Sequence, residues 1–82
     1  MNYVNKVIAE LNLPFTGNDD KVSYKGLVVQ DTINHGYVEV SYKGSCIAVF
    51  SHYEIEAVES LTFARVLRNK FHNYEIYTTL YK

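Results

Sequence analysis

Residues 37–50 read YVEVSYKGSCIAVF, and this stretch decides what kind of fold the chain builds. Val38, Val40 and Tyr42 fall on one side of an extended backbone, and Tyr37, Glu39 and Ser41 on the other, the period-two pattern of a half-buried strand. Lys43-Gly44 follows, and a glycine takes the positive φ of a tight hairpin turn at little cost. Cys46–Phe50 is then an unbroken apolar run, which reads as a central strand covered on both faces. The stretch predicts an antiparallel hairpin, and with it a sheet.

Working upstream, the four letters SYKG of residues 41–44 already occur at 23–26. Val22 and Tyr24 lead into Lys25-Gly26, and Leu27-Val28-Val29 leads out. The preferred reading is one long strand from Val22 to Gln30 with Gly26 as a bulge; a second hairpin turn at Gly26 is the alternative. T32-I-N-H-G36 turns the chain back towards Tyr37. Residues T16-G-N-D-D20 form a loop. Before it, NYVNKVIAELN places Val4, Val7, Ile8 and Leu11 at helical spacing, with Asn2 as N-cap and Pro14 ending the helix.

Downstream, Ser51-His52-Tyr53-Glu54 fits a capping box, in which a serine side chain satisfies a free backbone N–H at a helix start. A single helix is expected from His52 to about Phe71, with Glu56 and Glu59 near its start and Arg65, Arg68 and Lys70 near its end, as the helix dipole favours. Tyr53, Ala57, Leu61, Ala64, Leu67 and Phe71 make one apolar stripe. Ile55, Val58, Thr62 and Val66 make a second, with Phe63 beside Glu56 and Glu59. Either stripe could face the sheet; the other then needs a cover, from the chain itself or from a partner. Tyr74–Tyr81, rich in β-branched and aromatic residues, reads as a final strand. The expected fold is α+β in a single domain over residues 1–82: a short N-terminal helix, an antiparallel sheet of three to four strands, a long helix and a C-terminal strand.

Composition narrows the function classes. Apolar residues are 48% of the chain, charged residues 21%, and the net charge is −1, which describes a folded domain without the basic excess that nucleic-acid binding usually needs. Eight Tyr and four Phe with no Trp favour surfaces buried part of the time, since tyrosine joins an apolar ring to a wet hydroxyl. Cys46 is the single cysteine, so no internal disulfide is expected. No apolar run approaches a membrane span, and MNYVNKVIAEL lacks the regions of a signal peptide; the expected location is the cytoplasm.

No motif carries chemistry. His35, His52 and His72 have no metal-ligand spacing with one another or with Cys46. Cys46 sits in an apolar strand, where a thiol behaves as a small hydrophobe. Glu54 and Glu56 point apart on a helix. Tyr77-Thr-Thr-Leu80 fits a short signalling pattern but falls in an expected strand. Neither an enzyme nor a cofactor or metal is implied.

Helix–strands–helix over residues 2–71 resembles the element order of double-stranded-RNA-binding domains. Those carry lysines at the start of the last helix to grip phosphates; here that start is SHYEIE, and no residue transfers. In size, in tyrosine- and asparagine-rich composition and in lacking a catalytic signature, the chain resembles the short proteins that phages and other mobile elements use against bacterial defence, such as anti-CRISPR proteins. That resemblance implies a non-enzymatic inhibitor, phage-encoded and working in the host cytoplasm, that occupies a surface of a larger protein such as a CRISPR effector. The expected contact residues are Phe63, Val66, Tyr77 and Tyr81, large and not assigned to the core; a homodimer seam is a second use for them. The alternative is a nucleic-acid-binding regulator that uses Arg65, Arg68 and Lys70.

Overall fold

The computed structural model describes residues 1–81. Helix α1 (Tyr3–Ile8) is followed by strands β1 (Thr16–Gly17), β2 (Lys21–Tyr24), β3 (Leu27–Thr32), β4 (Tyr37–Tyr42) and β5 (Ser45–Ser51), then by helices α2 (His52–Ala57), α3 (Ser60–Asn73) and α4 (Tyr77–Tyr81). The strands form an antiparallel sheet in the order β1-β2-β3-β4-β5. The fold is therefore α+β with a five-stranded meander before the helices, where the sequence suggests three to four strands; the addition is β1, in the stretch expected as a loop.

Register explains the core. Val22, Val29 and Val40 pair across β2, β3 and β4, and Val38 pairs with Phe50. Residues directly opposite share a sheet face, and all five are buried. Val4, Val7 and Leu11 at the N-terminal end, with Phe63, Ala64, Leu67 and Phe71 of α3, close over this face in one cluster. The other face carries Ser23, Gln30, Glu39 and Ser41, as a sheet covered on one side should.

Both SYKG copies prove to be the same device. Lys25-Gly26 and Lys43-Gly44 have φ of 46° and 87°, and of 49° and 88°. Two successive positive φ values define the type I′ turn, whose twist matches that of paired strands. The long bulged strand over Val22–Gln30 is thus corrected to two strands and a hairpin. The two turns sit side by side: the Lys43 N–H donates to the Gly26 carbonyl at 2.9 Å. A Cβ on Gly26 would lie 3.2 Å from Cγ of Lys43, so the glycine also makes room for that side chain. A register shift does occur elsewhere, between Val40 and Ser41, where Ile47 of β5 is the extra residue.

The helix expected over 52–71 is broken. Val58 and Glu59 are extended, with ψ of 164° and 156°. At about 100° per residue, an unbroken helix would turn Ile55 roughly 80° or more away from each of Phe63, Ala64, Leu67 and Phe71. All five are buried, and the break lets α2 and α3 aim them separately. Ser51 caps α2 as expected, accepting from the Glu54 N–H at 3.0 Å, and Asn2 caps α1, accepting from the Asn5 N–H at 2.9 Å.

The C-terminal strand is also corrected: Tyr77–Tyr81 is a helical turn. The end of α3 decides this. The Ile76 N–H donates to the Phe71 carbonyl at 2.8 Å and the Glu75 N–H to that of His72 at 3.3 Å, while Glu75 takes a φ of 59°. This is a Schellman turn with its usual apolar contact, since Ile76 and Phe71 are both fully buried. It folds the tail back on the helices before it can reach a sheet edge.

Candidate functional site

The structure divides the four expected contact residues into two pairs. Phe63 is 1% exposed and meets Phe50 edge-on, ring centroids 5.0 Å apart. It belongs to the core, because the break before α3 turns it inward. Tyr81 is half-buried, and its hydroxyl donates to the Leu11 carbonyl at 2.6 Å. Burial raises its phenol pKa above the ordinary value, an effect that nearby Arg68 partly opposes. Val66 and Tyr77 are presented to solvent, at 37% and 46% exposure.

The basic residues do not assemble. Arg65 is exposed, Arg68 and Lys70 partly buried. An Arg68 N–H donates to the Glu10 carbonyl, so its guanidinium fastens the segment after α1 to α3. Lys70 lies about 140° around the helix from Arg65 at the α-helical pitch. Arg68 is thus tied down, and Arg65 and Lys70 point to different sides of α3.

The outward face of α3 is a surface of mixed character. Helical spacing puts Leu61, Arg65, Val66, Asn69 and His72 on one arc, and all five are exposed. His72 lines a shallow depression of about 640 Å³ together with Glu75, Tyr77 and Thr78, which carries the surface onto α4. There the ring of Tyr77 stacks on that of Tyr81 with centroids 4.7 Å apart. Because Tyr81 is itself bonded to Leu11, Tyr77 stands on a fixed base. An aromatic side chain held this way loses little freedom when a partner covers it.

A second polar grouping lies at the start of α2. His52 Nε2 is 2.6 Å from Asp31 Oδ1, and its ring stacks on Tyr3 at 3.8 Å and 2°. The Tyr3 hydroxyl donates to Glu56 at 3.2 Å; partial burial first, and then Glu56, raise its pKa. These contacts tie α1, β3 and α2 together, and no single stretch of sequence signals them, since Tyr3, Asp31 and the His52–Glu56 turn lie far apart in the chain. Beside them runs an open groove lined by Lys6, Glu10 and residues 56–61. Among the described residues, no three His, Cys, Asp or Glu side chains are placed to hold a metal.

Cys46 departs from expectation. β5 is an edge strand, not a central one, and the thiol is exposed. A search of family models, curated proteins and solved structures finds no match to this chain, so its function is read from these surfaces alone.

Proposed function

We propose that this chain is a small non-enzymatic protein-binding module that docks a larger protein through the outward faces of α3 and α4, with Val66 and Tyr77 as anchors. The observation that carries the reading is Tyr77: a large ring, half exposed, stacked on a tyrosine that is bonded to the body of the fold. Beside it lies His72, and further along the outward arc of α3 come exposed Val66, Arg65 and Leu61, a run that fits a partner offering apolar contacts with acidic groups. Interfaces of this kind concentrate their energy in a few buried aromatic and arginine side chains. In size and composition the chain is of the sort that mobile elements use to block host defence proteins, and an inhibitor that works by occupancy needs no more than such a surface.

The nucleic-acid reading loses Arg68 to its bond with Glu10 and keeps Arg65 and Lys70 on different sides of α3. The discriminating experiment is affinity capture from the native host cell with the wild-type chain and with a Val66→Asp/Tyr77→Ala double variant. A protein retained by the first and lost by the second supports docking through this face. Equal retention by both, or capture of nucleic acid in a salt-dependent way, refutes it.

A further inference from the structure

The two edges of the sheet are unlike. β1 is two residues long, and Gly17 there has a φ of 147° with no room for a Cβ, which would fall 2.2 Å from the Lys21 carbonyl oxygen. A short, distorted edge offers no template to another strand. β5 is seven residues long, SCIAVFS, with neither a charge nor a proline, and none of the usual devices that blunt an edge acts beyond its bulge at Ile47.

Which backbone groups face outward follows from alternation along an antiparallel ladder. The His52 N–H donates to the Gly36 carbonyl at 2.9 Å, next to the pair Ser51–Tyr37. Bonded pairs therefore recur at Phe50–Val38 and Ala48–Val40. The N–H and C=O groups of Val49 and Ser51 point away from β4, and the Val49 side chain is 50% exposed.

We propose that β5 is a homodimer interface: two copies of this chain pair antiparallel along Ala48–Phe50, clear of the bulge, about a two-fold axis at Val49, joining two five-stranded sheets into one. Three observations select a second copy as the occupant. The strand carries no charge, so like meets like without repulsion. The axis at Val49 sets Val49 against itself, a residue whose N–H and C=O both lie on the unbonded side of β5. The dimer also closes, because the edges left outside are the two blunted β1 strands, and isologous pairing that leaves no free template does not grow into fibres. Pairing along one short edge buries less than the roughly 1,200 Å² of a standard stable interface, so the dimer is concentration-dependent. This interface is independent of the α3–α4 docking face.

Sedimentation equilibrium of the full chain over a wide concentration range tests it. The mass should rise from 9.5 kDa towards twice that value. Val49→Pro removes only an outward N–H and should hold the chain monomeric with an unchanged circular-dichroism spectrum. If that variant unfolds, Val49→Lys places like charges on the axis and should do the same. In a Cys46→Ser background, Val49→Cys should form an intermolecular disulfide, since bonded antiparallel pairs place Cα atoms about 5.5 Å apart, within disulfide reach. Gln30→Cys, inside the sheet, should not. A wild-type mass fixed at the monomer, dimers that persist in Val49→Lys, or equal cross-linking through Gln30→Cys would overturn the interface. Val66→Asp/Tyr77→Ala should leave self-association unchanged, which separates this outcome from that of the docking face.

Discussion

Phe63 and Val66 stand three residues apart on α3, are both large and apolar, and meet opposite environments. Phe63 is sealed against Phe50, while Val66 is open to water. Phe63, Ala64, Leu67 and Phe71 close the core; Leu61, Arg65, Val66, Asn69 and His72 face out. The difference teaches that the same helix holds the fold with one face and leaves the other free. An apolar residue on this helix is evidence for binding only if it lies on the outward arc.

The contrast predicts a graded series of outcomes. Phe63→Ala should be the most damaging, costing about 3–5 kcal/mol as a cavity opens beside Phe50. A domain of this length holds roughly 4–12 kcal/mol in all, so urea denaturation should show the variant partly or wholly unfolded. A loss under about 1 kcal/mol would place Phe63 outside the core and break the contrast, because only surface substitutions cost so little.

Tyr81→Phe should cost about 1 kcal/mol, the net worth of one hydrogen bond, here to Leu11. It should also change the response to alkali. Burial raises the Tyr81 pKa in the folded state, so its contribution is complete below the unfolded value of about 10 and is lost as pH rises through the folded one. Melting temperatures above about pH 10 should therefore fall more steeply for the wild type than for Tyr81→Phe.

Glu75→Gly should act in the opposite direction. A non-glycine residue in the left-handed region costs about 1–2 kcal/mol, and Glu75 occupies it at the Schellman turn. Denaturant midpoints should rise, by up to about 1 kcal/mol after the glycine's own entropy is counted. No gain would mean that the turn is held by something other than its backbone.

Val66→Ala should be the smallest in stability, within about 0.5 kcal/mol as for other surface positions, while weakening capture of the partner. Thermal melts together with pull-down compare the two properties in one variant. A large loss of stability would move Val66 to the inward face.

Much of the sheet was legible. The alternation of Tyr37–Tyr42, the glycine of the second SYKG and the turn ending at Gly36 each depend on neighbours within a few residues. The two N-caps, Asn2 and Ser51, are legible for the same reason. The first SYKG, read as a bulge, is the same turn as the second, and β2 is simply a short strand. The tail misled because Tyr, Ile and Thr favour strands wherever a sheet edge is free, and its Schellman turn uses Glu75 where a glycine would have announced it. Of the candidate contacts, Val66 and Tyr77 stay on the surface, but Phe63 and Tyr81 could not be separated from them by pattern. The Asp31–His52 contact gave no signal at all.

The sequence alone determined the α+β class, the central hairpin and the starts of α1 and α2, because turn chemistry, strand alternation and capping are set by residues that are near neighbours in the chain. Only the tertiary structure decided that the long helix breaks at Val58–Glu59, that the tail coils, that β5 lies at an edge, and which apolar residues face water. Those outcomes depend on burying Ile55, Phe63, Phe71 and Ile76 together under one small sheet, a constraint carried by contacts between distant segments and not by any one of them.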